Sequence, residues 1–130
     1  MKILVGYRGT NVGRDLLRLA VEHAKAFDAE VLLVTSMPGG DKTTRDQVIE
    51  AEKKLNEAKL FLDEQGIKNE THLLVRGRNP GEDIVDFAAQ NNCYEIVLGV
   101  KSRSKVGKIL FGSTAQFVIL KASCPVVSVK

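Results

Sequence analysis

The sequence predicts an α/β fold, an open parallel sheet of five strands with four helices spread over both faces. Two observations carry this. Short apolar runs alternate strictly with stretches whose apolar residues recur at helical spacing, so each strand is reached by a crossover and lies parallel to the last. Glycine, proline or capping residues punctuate the runs and set the element ends. A sheet built from such crossovers is covered by helices on both faces.

In chain order, Lys2–Tyr7 (KILVGY) reads as a buried strand followed by glycines. Leu16, Leu17, Ala20, Val21, Ala24 and Phe27 then mark the inward face of a helix. Ala29–Ser36 (AEVLLVTS) is the second strand, closed by the breaker PGGD. Thr43–Gln65 carries Val48, Ala51, Leu55, Ala58 and Leu62 on one stripe, with Thr44 and Gln47 as a capping box and Gly66 as the stop. THLLVRG (Thr71–Gly77) is the third strand, and NPGED opens the next helix with Pro80 and early acids. IVDFAAQ supplies that helix's apolar face, and YEIVLGV (Tyr94–Val100) is the fourth strand. Ser113 with Gln116 forms a second capping box, heading a helix with Ala115, Val118, Ile119 and Ala122 inward. Pro125–Val129 closes the chain as the fifth strand. With no linker, repeat or low-complexity stretch, residues 1–130 read as one domain.

Composition narrows the function. With 130 residues and 44% apolar content the chain can bury a full core, and no apolar run is long enough for a membrane span. MKILVGYRG does not have the form of a secretory signal, so the expected location is the cytoplasm, without membrane insertion. The two cysteines, Cys93 and Cys124, have no histidine or second thiol at metal-ligand spacing, and no metal site is expected. Each precedes an apolar run, which favours small buried residues over reactive thiols; if the strands they precede are neighbours, the two come close. His23 lies in a helical pattern and His72 in a strand pattern, neither within a catalytic constellation. Asp15, Asp41 and Asp46 have the chemistry for Mg2+, yet Asp41 and Asp46 read as acids at a helix start, where the dipole favours them. No nucleophile–base pair is visible, so no catalytic residue is assigned and the chain does not read as an enzyme; any hydrolysis would be slow.

Net charge is +3, but unevenly placed. From Ile96 onward there are six cations and no acid, whereas the first 95 residues carry 13 cations against 16 acids. A local anionic partner fits this better than nucleic acid, because five phenylalanines, two tyrosines and no tryptophan leave little stacking surface.

Open α/β sheets bind ligands at the carboxyl ends of their strands. Three loops sit there: Arg8–Gly13, Ser36–Asp41 and Gly99–Gly112. The last has what a phosphate needs: glycines that let backbone N–H groups approach, a helix start at Ser113, and cations at Lys101, Arg103 and Lys105. GKILFGST contains G-x-x-x-x-G but places Ser113 where a Walker loop has lysine, so it is not that motif.

The spacing Gly99, two residues, Ser102, nine residues, Gly112-Ser113-Thr114 resembles the nucleotide motif of the universal stress protein family. KILVGYRGT is similar to that family's opening strand and turn, VRGRNPGEDIVDFA to its G-x-P helix start, and CPVVSV to its closing strand. The resemblance, which covers the whole chain, implies a Rossmann-like sheet of order 3-2-1-4-5, of the adenine nucleotide alpha hydrolase-like kind, and a nucleotide-binding regulatory module of the stress response. It implies ATP as ligand, alone or with Mg2+. Gly99, Gly112, Ser113 and Thr114 would hold the phosphates, with Lys101 and Ser102 in the same loop. Tyr7, Arg8 and Gly9 would border the adenosine, and Ser36 or its backbone would meet adenine. It also implies a homodimer through Pro125–Val129 that acts through a further, unnamed protein partner.

Two positions depart from the family pattern. Ser102 stands at the second glycine, and Arg8 stands where an aspartate usually accepts from the nucleoside. Arginine has donors only and cannot replace that contact, though it can fold toward a phosphate or stack on a base. The alternative reading is therefore a non-nucleotide interaction module whose basic loop meets another anion or an acidic protein surface.

Overall fold

The computed structural model describes residues 1–8, 13–100 and 112–130. Five parallel strands form one sheet: β1 (Lys2–Gly6), β2 (Glu30–Met37), β3 (Asn69–Val75), β4 (Glu95–Gly99) and β5 (Val126–Val129), in the order β3-β2-β1-β4-β5. The helices are α1 (Gly13–Phe27), α2 (Arg45–Glu64), α3 (Pro80–Gln90) and α4 (Ser113–Lys121), with one 3-10 turn at Gly40–Lys42. The expected strand order and helix number both hold.

Alternation along each strand divides the core in two. Ile3, Val5, Val31, Leu33 and Val97 face α1 and α2, where they pack with Leu16, Ala20, Leu55 and Leu62. Leu4, Leu32, Val34, Ile96 and Leu98 face α3 and α4, against Ile84, Phe87, Ala115 and Val118. Central strands buried on both faces must be apolar throughout, which is why β1, β2 and β4 read as continuous runs.

Local chemistry sets the element ends. Thr44 caps α2: its Oγ1 accepts from Gln47 N–H at 3.1 Å, while the Gln47 side chain accepts from Thr44 N–H at 2.9 Å. Gly66 follows the C-cap with φ +73°, a conformation glycine takes without strain. Asn79 caps α3 by accepting from Gly81 N–H at 2.9 Å, with Pro80 in the first position. Gly81 has a second use, since a Cβ there would lie 2.9 Å from Phe117 Cβ. The missing side chain is what lets α3 and α4 pack so closely.

Four expectations need correction. The second capping box does not form: Gly112 is the N-cap of α4, with no side-chain cap bond, and Ser113 lies one position inside the helix. Ile119 is 42% exposed, and only Ala115 and Val118 of α4 are buried, as α4 packs chiefly against α3. Phe27 is 41% exposed at the end of α1, its ring against His23 and Tyr94. β3 begins at Asn69, where its ladder to Val31 starts, rather than at Thr71.

Candidate functional site

Parallel strands place all their carboxyl ends at one edge of the sheet, and helices that run back between them start at that edge. The ends of β2, β1 and β4 are neighbours there, as Gly6 pairs with Val34 on one side and Leu98 on the other. A Cβ on Gly6 would stand 2.8 Å from Leu98 Cδ2, so a side chain at this last position of the central strand would have to displace the end of Leu98.

Tyr7 is held at both backbone groups. Its N–H donates to the Val34 carbonyl at 2.9 Å, and its carbonyl accepts from the Thr35 hydroxyl at 2.5 Å. The Tyr7 ring packs on the start of α1, where a Cβ on Gly13 would come within 3.0 Å of Cε2. Burial, with the Glu57 charge adding to it, pushes the phenol above its usual value, so the ring presents a neutral hydroxyl. Arg8 follows and is exposed.

β4 ends at Gly99, and the next N–H, of Val100, donates to the Val129 carbonyl at 2.8 Å, fixing that end against β5. On the α3/α4 face, Gly112, Ser113 and Thr114 head α4. The helix ladder begins with Gln116 N–H donating to the Gly112 carbonyl at 3.0 Å. The N-cap of α4 is a glycine, so among the described residues no capping side chain takes up its first-turn amides as Thr44 and Asn79 do for α2 and α3. The arrangement can hold an anion through backbone groups.

Ser36 is buried at the end of β2, and its hydroxyl donates to Asp83 Oδ2 at 2.9 Å. Asp83 Oδ1 accepts from Arg76 Nε–H at 2.8 Å and also from the Arg76 Nη2 group. Asp83 is fully buried, a position a carboxylate tolerates only with such partners. Ser36 thus commits its proton to Asp83, and what it offers toward the edge is backbone.

Tyr7, Arg8, Ser36, Gly99, Gly112, Ser113 and Thr114 all lie at the carboxyl edge. Gly9, Lys101 and Ser102 lie outside the described residues. The reading of the sequence missed Asp83, Arg76 and Thr35. Asp83 did carry a signal: it stands four residues before Phe87, on the stripe that holds Ile84 and Phe87, and an acid there needs a buried partner. Among the described residues no group of three or more His, Cys, Asp or Glu side chains is placed to hold a metal.

Residues 1–130 match the sequence model of the Universal stress protein family. The chain belongs to that family. A universal stress protein of Methanocaldococcus jannaschii is 31% identical to this one over 99% of the chain and 81% of its own length. The solved structure of a universal stress protein from Archaeoglobus fulgidus is 40% identical and superposes with a TM-score of 0.91, covering 99% of this chain and 97% of that one. Another from the same organism, solved in complex with dAMP, is 36% identical with a TM-score of 0.84, covering 99% and 96%. This universal stress protein therefore shares its whole fold with a relative that holds a nucleotide.

Proposed function

We propose that this universal stress protein is a nucleotide-binding regulatory module of the stress response, taking ATP, alone or with Mg2+, at the carboxyl edge of its sheet. The observation that carries the reading is the start of α4: Gly112, Ser113 and Thr114 lead a helix whose N-cap is a glycine, at the edge where β1 ends just before Tyr7 and β4 ends at Gly99. The dAMP complex of a relative with the same fold supports it. In this reading the amides of Gly112, Ser113 and Thr114, with Gly99, Lys101 and Ser102, hold the phosphates. Tyr7, Arg8 and Gly9 border the nucleoside, and the backbone beside Ser36 meets the base. A nucleotide supplies the charge that the start of α4 attracts, and the chain's own groups bind and orient it. The protein acts in the cytoplasm by binding rather than catalysis, as a homodimer through Pro125–Val129 that engages a further protein.

One observation favours a second reading. Arg8 is an exposed cation at the turn where a nucleoside acceptor would sit, which suits an interaction module for another anion or an acidic protein surface. Calorimetric titration with Mg-ATP, on protein freed of co-purified nucleotide, separates the two. The nucleotide reading expects micromolar binding that is lost in Gly112→Val. No heat at two temperatures, with affinity gained by Arg8→Asp, would overturn it and leave the interaction module.

A further inference from the structure

At the opposite, amino edge of the sheet, α3 and α4 leave a cavity of about 310 Å3 lined by Val85, Ala88, Ile96, Ala122 and both cysteines. The sequence places Cys93 and Cys124 far apart, but the strands they precede are neighbours. Ile96 pairs with Val126, and the Ile96 N–H donates to the Pro125 carbonyl at 3.0 Å, so the pairing extends back to the segment carrying Cys124. The segments that lead into β4 and β5 therefore lie side by side, and both thiols open on this one cavity. Both side chains belong to the core layer that α3 and α4 cover, so they leave the sheet on the same side.

We propose that Cys93 and Cys124 form a reversible intramolecular disulfide when the protein meets a peroxide, making this cavity a modification site. The two thiols are free in the structure and differ in access, Cys93 buried and Cys124 half-buried. Burial pushes the Cys93 thiol up to about 11, with the Cys124 charge adding to it. Cys124 is raised by burial as well. Both shifts keep thiolate scarce, so the oxidation is slow at neutral pH and quickens as pH rises; access alone ranks the two, and the half-buried Cys124 meets the oxidant while Cys93 resolves it.

The chemistry balances in two steps. The Cys124 thiolate attacks one peroxide oxygen and the O–O bond breaks. The other oxygen leaves as hydroxide and takes up the proton the thiol gave, giving water and a sulfenic acid. The Cys93 sulfur then displaces the sulfenic hydroxyl, which departs as a second water with the Cys93 proton. Two thiols and one hydrogen peroxide become one disulfide and two waters. The bond ties the segment before β4 to the segment before β5 and encloses α4 in a covalent loop.

The test uses the whole reduced protein. It is treated with hydrogen peroxide, alkylated, unfolded and digested, and its peptides are mapped by mass spectrometry. The proposal expects a chain lighter by two hydrogens, the Cys93 peptide joined to the Cys124 peptide within one monomer, and reversal by dithiothreitol. Three wild-type outcomes overturn it: both cysteines still alkylated, Cys124 taken to the sulfinic acid beside a free Cys93, or cross-links only between chains. A second measurement concerns order. In Cys93→Ala, checked for folding by circular dichroism, dimedone should trap a sulfenic acid at Cys124; no adduct would overturn the assignment of Cys124 as first attacker.

Discussion

Ser36 and Asp83, 47 residues apart in sequence, meet in a buried hydrogen bond of 2.9 Å that joins the end of β2 to the first turn of α3. Arg76 completes the contact from the end of β3. Three crossover elements are thus tied at the edge where the nucleotide is proposed to lie.

Replacing Asp83 tests the strength of that tie. Asp83→Ala leaves the Ser36 hydroxyl unsatisfied and the half-exposed Arg76 without its acceptor, a loss of about 2–3 kcal/mol by the usual cost of orphaned buried partners. Urea unfolding followed by circular dichroism reads it as a lower midpoint at unchanged slope. A midpoint equal to wild type would mean the network adds no stability.

Gly81 offers a case where propensity and packing oppose each other. Alanine is the better helix former by about 1 kcal/mol, yet its Cβ would sit 2.9 Å from Phe117 Cβ, an atom no rotamer change can move. Overpacking of this kind costs about 1–3 kcal/mol, so Gly81→Ala should lower the Tm. A raised Tm would show that α3 and α4 separate freely.

Alkaline pH should weaken the fold through Cys93. Its thiol rises in the folded protein from the usual 9.0 to about 11, so between those values the unfolded chain has already released a proton that the folded one keeps. Unfolding is then favoured as pH rises, with the loss beginning near 9 and complete above 11. Denaturation midpoints of wild type and Cys93→Ala should diverge less at pH 10.5 than at pH 8, as measured under reducing conditions. A constant difference would place the thiol in water.

The sheet was legible because parallel strands covered on both faces must be apolar, and the helices because their stripes match the surface they cover. What escaped was whatever depends on where an element starts or on how wide its support is. Thr44 and Ser113 stand in the same S/T-x-x-Q pattern, yet only Thr44 takes the capping position; Gly112, at φ −66° and ψ 157°, takes it for α4. Ile119 continues the α4 stripe, but α4 packs chiefly against α3 and leaves that position 42% exposed. At the candidate site, residue spacing pointed to Gly99 and Gly112, which lie at the carboxyl edge, but not to the Ser36–Asp83–Arg76 contact, which exists only once three separate elements are side by side. Asp83 on an apolar stripe was the visible trace of it.

That contact also bears on how long a folded molecule lasts. It needs β3 aligned beside β2 and α3 crossed back over the sheet, so we expect it to close after the folding barrier, with Asp83→Ala speeding unfolding and leaving the refolding rate unchanged in stopped-flow measurements. Interactions absent from the folding barrier do little for the speed of folding and act almost wholly against unfolding. On that expectation Ser36, Arg76 and Asp83 together act as a latch, setting the native state's lifetime rather than the time needed to reach it.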